Sequence, residues 1–317
     1  MKRVLVTGAN GFVGPHLARE LTARGLEVHG SGLGDQPVDA PLARWVHLDV
    51  LDLDACLAEF EASKPDAVVH LAGQSSAGRS FDDPEGTFRL NVVGTWTVLE
   101  AVRRVTPRAR VLAVGSGESY GPQPEGTRVD EDAAFRPVSP YARSKAASDQ
   151  LAATHARTHG LDVIRTRSFA HAGPGQTPSF ALPSFARQIA EIERNGADPV
   201  LRVGNLEVVR DLTDVRDVAE AYATLLERGR SGEAYNVGRG EGVRLAEVVR
   251  RLAGLAHVDV RIEVDPARVR PADVPYLVAD VGRVERETSW RAKRPLDQTL
   301  EDVLDDWRAR ARMDAGG

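Results

Sequence analysis

Short apolar runs at 3–7, 27–31, 45–49, 67–72, 110–115, 161–166 and 233–237 alternate with stretches of helical spacing near 12–24, 52–63, 85–105, 141–159 and 214–228. Runs of that length with near-continuous apolar character are what strands buried on both faces require. Their regular alternation with amphipathic helices predicts stacked βαβ units: an α/β fold with a Rossmann-type, doubly wound parallel sheet. In such a sheet ligands bind beyond the C-terminal strand ends, where this chain places its Gly, Ser, Asn and Gln residues. The pattern breaks between 171 and 205 into Gly, Pro and polar residues with one helix, and a different mixture follows 240. The expected division is a dinucleotide-binding part, 1–170 with 206–240, and a smaller substrate-binding lobe, 171–205 with 241–317. The tail after Trp307 reads as frayed.

Composition narrows the ligand. The chain has 317 residues and a net charge of −5, which argues against nucleic acid and polybasic membrane binding and for a small substrate. One cysteine, Cys56, has no internal disulfide partner and reads as packing. No apolar run reaches membrane-spanning length, and the expectation is a cytoplasmic protein. His155 and His159 stand one helical turn apart, but no third ligand is indicated; they are expected to be an exposed helix end, with no metal site. The arginines at 244, 250 and 251 read as the solvated face of a helix whose Leu245, Val248, Val249 and Leu252 turn inward.

Two motifs carry chemistry. Thr7 to Gly14 reads TGANGFVG between an apolar run and an amphipathic segment, that is, strand, tight turn, helix. Gly8, Gly11 and Gly14 let the backbone approach a pyrophosphate, and the helix behind them offers free N–H groups with about half a positive charge. The second motif is Tyr141-Ala-Arg-Ser-Lys145. Residues four apart share a helix face, so phenol and ammonium point at one ligand. Acid–base work near neutrality needs the phenolate of a tyrosine favoured by about three pKa units, roughly 4 kcal/mol, which a neighbouring Lys⁺ and an oxidised nicotinamide are expected to supply. The chain holds only four lysines, at 2, 64, 145 and 293. Where it needs plain positive charge it uses arginine, so Lys145 reads as a compact point charge able to reach a ribose hydroxyl.

The glycine spacing resembles the fingerprint of the extended short-chain dehydrogenase/reductase family, in which the catalytic Ser or Thr lies four residues before the Tyr of a Tyr-Gly pair. Ser116 holds that position before Tyr120-Gly121. The resemblance therefore implies a Ser116, Tyr141, Lys145 triad, with Glu118 in the place where related sugar dehydratases carry a base for the C5 proton. Further matches imply an NAD or NADP site made of Gly8, Asn10, Gly11, Phe12, Val13, Gly14, Asp49, Val50, Leu71, Ala72, Gly73, Tyr141, Lys145 and His171. At the end of the second strand, where NAD enzymes usually carry an acid, stands Gly32, with Asp35 beyond, and NAD against NADP is left open.

FRPVSPYARSKAASDQLA, RTRSFAHAGPGQ and LRVGNLEVVRDLTDVRDVAEAY resemble GDP-4-keto-6-deoxy-mannose reductases, relatives of GDP-mannose 4,6-dehydratases, over nearly the whole chain. That resemblance implies a nucleotide-sugar ligand, GDP-linked by preference, held by Gln74, Ser75, Ser116, Glu118, Gln188, Val203, Asn205, Arg210, Arg270 and Asp273. Its reaction would be reduction at sugar C4, with a 4,6-dehydratase or 4-epimerase as the alternative. Ala170 departs from the Asn usual in the family. A homodimer through the helices at 85–105 and 141–159 is also implied, with Trp96, Leu99 and Leu151 as interface or core.

Overall fold

The computed structural model describes residues 1–196, 198–269 and 273–313. Its strands are β1 (Arg3–Thr7), β2 (Glu27–Gly32), β3 (Arg44–His47), β4 (Ala67–His70), β5 (Arg110–Ser116), β6 (Val163–Ser168), β7 (Ala170–Ala172), β8 (Val200–Val203), β9 (Val209–Asp214), β10 (Ala234–Val237), β11 (Gly242–Arg244), β12 (Arg261–Val264) and β13 (Tyr276–Leu277). The helices are α1 (Val13–Ala23), α2 (Leu53–Ser63), α3 (Arg79–Asp82), α4 (Pro84–Phe88), α5 (Gly94–Val105), α6 (Pro140–His159), α7 (Ala181–Asn195), α8 (Val215–Arg228), α9 (Leu245–Gly254), α10 (Gly282–Thr288) and α11 (Leu296–Met313), with a π-turn at Arg89–Val93 and a 3₁₀ turn at Gly117–Tyr120.

All seven apolar runs become strands of one parallel sheet, ordered β3-β2-β1-β4-β5-β6-β10. Side chains alternate along each strand, so β1 sends Val4 and Val6 to one face, where Leu17 and Leu21 of α1 and Val218 and Leu225 of α8 cover them. Leu5 goes to the other face, under Phe60 of α2 and Val98, Leu99 and Val102 of α5. The order reverses at β1, whose neighbours are β2 and β4. The crevice beyond that switch point is where a doubly wound sheet receives its ligand.

A separate core joins α7, α9 and α11: Leu182, Phe185, Ile189, Val248, Val249, Leu252, Leu300, Val303 and Leu304 pack with Leu201 and Val203 of β8. β9 falls within 206–240 yet pairs with β7, β11 and β13 instead of the large sheet. Val284 and Trp290, from the C-terminal stretch, pack in the core of the large sheet. No described helix is long and apolar enough to cross a membrane.

Candidate active site

The cleft is built from the C-terminal ends of β1, β4, β5 and β6. Gly8 turns the chain with φ of 69°, and a Cβ there would stand 2.6 Å from the Ala72 backbone nitrogen. At Gly14 a Cβ would fall 2.0 Å from the Ala9 carbonyl oxygen. These two contacts explain why the run tolerates no side chain at either place. No side chain caps α1; the Gly14 N–H of its first turn donates to the Gly11 carbonyl at 3.1 Å, and the helix start lies at the cleft, the usual place for an anion. Phe12 stacks on His171 with centroids 6.0 Å apart and planes 5° apart. His171 Nδ1 donates to the Phe169 carbonyl at 2.9 Å, and burial pushes its pKa down.

Ser139 caps α6 by accepting the Ala142 N–H at 3.1 Å, and Pro140 opens its first turn. This fixes the helix start and with it Tyr141 and Lys145 on the cleft wall. Ser116 closes β5; its hydroxyl accepts the Glu118 N–H at 3.2 Å and acts on the neighbouring Tyr141 phenol. Burial drives the Tyr141 pKa well above the ordinary range, the Glu118 carboxylate adds to that, and the Ser116 hydroxyl works against it. Among the protein's own groups desolvation dominates, and the phenol stays protonated. The same desolvation pulls the Lys145 ammonium down to about 8, while Nζ donates to the Val114 carbonyl at 3.0 Å.

A cleft of about 560 Å³ is lined by Gly8, Gly11, Phe12, Val13, Gly14, Leu71, Gly73, Gln74, Ser75, Ser116, Glu118, Tyr141, Lys145, His171, Asn205, Arg210 and Asp273. The two motifs, more than a hundred residues apart in sequence, therefore meet at one surface. Asn205 donates to Asp273 at 3.2 Å, and Arg210 donates to the Val274 carbonyl at 2.5 Å, which fixes the guanidinium at the wall. Arg268 also lines the cleft; Arg270 lies outside the described residues. Ala170 lines it too, with only a methyl where an amide was expected.

Other expected residues stand apart. Asn10 lies across the end of β2, where its Oδ1 would be 2.2 Å from any Cβ at Gly32. Asp49 accepts the Leu51 N–H at 2.9 Å beside a separate shallow depression. Val50 and Ala72 pack in the core under the sheet. Gln188 spends its amide on the Arg202 N–H and carbonyl, holding β8 to α7, and Val203 is wholly buried; neither lines the cleft. His155 is buried, not exposed, with its ring 5.2 Å from that of His159. Among the described residues no cluster of His, Cys, Asp or Glu is fit to hold a metal. Cys56 is buried and its thiol pushed up to about 12, consistent with packing.

Three groups escaped the sequence reading. Asn91, in the π-turn, accepts the Gln74 N–H at 2.8 Å and donates to the Gln74 carbonyl at 3.0 Å and to Ser144 at 2.8 Å, tying the cleft wall at 73–75 to the turn of α6 that carries Tyr141 and Lys145. Arg167 is buried among Asp149, the Tyr120 hydroxyl and the Glu131 carbonyl and so locks the turn holding Glu118. Ser168 and Tyr222 share a hydrogen bond of 2.6 Å at the cleft wall. A π-turn leaves no periodic signature distinct from an α-helix, and the other two groups exist only once β5, β6 and α8 are assembled.

The model of the family described as GDP-mannose 4,6 dehydratase matches residues 5–303. A GDP-6-deoxy-D-mannose reductase of Pseudomonas aeruginosa is 36% identical over 98% of this chain and 99% of its own. The solved structure of RMD from Pseudomonas aeruginosa complexed with NADPH superposes with a TM-score of 0.86 at 34% identity, covering 98% of this chain and 100% of that one. A UDP-glucose 4-epimerase of Thermus thermophilus in complex with NAD gives 0.87 at 32% identity, covering 96% and 99%.

Proposed function

The chain belongs to the GDP-mannose 4,6-dehydratase family, and from that premise we propose that it is an NAD(P)H-dependent reductase of a nucleotide-linked 4-keto-6-deoxy-hexose, GDP-linked by preference. The observation that carries this reading is the meeting of Ser116, Tyr141 and Lys145 on one wall of the cleft that the glycine turn closes. The residues present fit a dinucleotide: an uncapped helix start for the diphosphate, and Phe12 and His171 as an aromatic wall. When bound, the dihydronicotinamide supplies a hydride. Ser116 orients the sugar O4, and the Tyr141 phenol, kept protonated by burial, gives its proton to that oxygen. Lys145 holds the ribose and supports the phenolate that is left. Arg210, with Asn205 and Asp273, takes the nucleotide end. NADPH is accepted because Gly32, guarded by Asn10 and Trp45, leaves no carboxylate at the end of β2 to repel a 2′-phosphate.

A second reading rests on Glu118, whose carboxylate acts on the Tyr141 phenol and stands where a base for sugar C5 is needed in a 4,6-dehydratase. Two incubations separate the readings: the GDP-linked 4-keto sugar with NADPH or NADH, and GDP-mannose without added reductant. Consumption of reduced cofactor in the first alone supports the reductase; product in the second rejects it.

α3, α4, the π-turn and α5 carry Phe81, Phe88, Val93 and Trp96 respectively in exposed positions. An apolar stripe of that kind supports a homodimer through this face. Leu99, by contrast, is core.

A further inference from the structure

β8 and β12 run parallel, with Val200–Val203 beside Arg261–Val264, so the chain leaving their C-terminal ends delivers Gly204, Asn205 and Arg268 to one cleft. Asp265 holds the second of these segments in place. Its N–H donates to the Val203 carbonyl at 2.8 Å, and its carboxylate caps the 3₁₀ turn Pro266–Arg268 by accepting the Ala267 N–H at 3.0 Å. Gly204 lets that turn come close: a Cβ there would stand 2.5 Å from the Arg268 carbonyl oxygen. Arg268 thus lines the cleft beside Ser184, and the proposed chemistry does not use it.

The Arg268 guanidinium is only partly engaged. Nε lies 3.4 Å from the Asp265 carboxylate, and Nη1 reaches the Ser184 hydroxyl at 3.4 Å. Nη2 makes no hydrogen bond among the described residues, and the side chain keeps 39% of its exposure. A guanidinium is a planar fork of donors with no acceptor. A ligand group that meets it must therefore offer acceptors, and two adjacent ones to use the fork. Asp265 decides between the parts of a nucleotide: a diphosphate beside Arg268 would face that carboxylate at close range, whereas a neutral base would not. Guanine carries two adjacent acceptors, O6 and N7, on one edge; adenine has an amino donor in place of O6, and uracil and thymine offer one oxygen beside a carbon. The faces of a purine also suit Pro183 and Phe185, which flank Ser184 in sequence and line the same cleft.

We propose that Arg268 is a specificity-determining residue that reads the base of the nucleotide sugar, its Nη1–Nη2 edge donating to O6 and N7 of guanine while Asp265 orients the fork and offsets its charge. The inference rests on the nucleotide-sugar reading and supplies a physical reason for a GDP-linked substrate.

Arg268→Met keeps the apolar stem without the fork, and Arg268→Lys keeps the charge as a single point. The full-length wild type and both variants, in the presence of NADPH, are titrated calorimetrically with GDP, inosine diphosphate, ADP and UDP; circular dichroism and an NADPH titration check that folding and the cofactor seat are intact. Inosine diphosphate retains O6 and N7 and lacks only the 2-amino group. The wild type is expected to bind GDP and inosine diphosphate about tenfold or more tightly than ADP and UDP. Both variants are expected to lose about tenfold for the first pair and little for the second, so that the preference disappears. Equal losses for all four nucleotides in Arg268→Met, recovered in Arg268→Lys, would place Arg268 on the diphosphate and overturn the proposal. A GDP preference unchanged in both variants, or absent from the wild type, overturns it as well. A wild type that binds GDP selectively yet leaves the GDP-linked 4-keto sugar and NADPH unconsumed rejects the reductase reading while the base reading stands; one that binds none of the four overturns both.

Discussion

At the residue scale, burial sets protonation in the cleft. A phenol in open water would be a mediocre donor to a carbonyl only because water competes for the same oxygen; Tyr141, buried beside Ser116, has no such competition and stays protonated until charge develops on O4. Tyr141→Phe removes the proton but leaves the glycine turn and α1 intact. Turnover is expected to fall about 10²–10⁴-fold with NADPH affinity, measured by fluorescence titration, nearly unchanged; a variant turning over at near wild-type rate contradicts the assignment. The same burial shapes acid stability. His70, pulled from 6.5 to about 3, takes up a proton in the unfolded chain before the folded one. Stability is therefore complete above pH 6.5 and declines as pH falls toward 3, by about 1.4 kcal/mol per unit for each such group. His16, His155 and His171 shift in the same direction. Thermal unfolding is expected to show a lower Tm at pH 5 than at pH 7, and equal values would contradict the burial of these rings as neutral bases.

Elements translate those residues into a site. β1, the turn at Gly8 and α1 form one unit in which a Cβ at Gly14 would strike the Ala9 carbonyl oxygen. Gly14→Ala is expected to cost about 1–3 kcal/mol through overpacking and to weaken NADPH binding by displacing the N-terminus of α1; denaturant unfolding and cofactor titration measure both, and an unaltered pair of values would show that the turn has room. That unit was legible in the sequence because strand, glycine spacing and amphipathic helix are local patterns. So were all seven strands of the large sheet, since strands buried on both faces are nearly continuous apolar runs. What was not legible depends on partners distant in the chain. The register of β9 with β7, β11 and β13 follows no local pattern. The part played by Gln188 became readable only when β8 lay beside α7, where the amide satisfies a strand edge. The Asn91 bridge needed a π-turn that periodicity does not reveal.

The whole molecule sets two cores against each other across the cleft. The ends of the large sheet bring Gly8, Ser116, Tyr141 and Lys145, the proposed dinucleotide seat and triad, to the cleft, and Asn205 and, from β9, Arg210 line its other side. On the outer side, the exposed Phe88 and Trp96 make the proposed self-association testable. Sedimentation of the wild type is expected at twice the monomer mass, and Phe88→Glu with Trp96→Glu is expected to sediment as a monomer; a monomeric wild type would reject the dimer. The central claim is that one cleft brings a hydride and a proton to the two ends of a sugar carbonyl. Its most direct test uses NADPH bearing deuterium at the transferable position of the nicotinamide, with the GDP-linked 4-keto-6-deoxy sugar, and reads the product by mass spectrometry and NMR. One deuterium bonded to sugar C4 is the result expected; a product with deuterium elsewhere or with none contradicts the account.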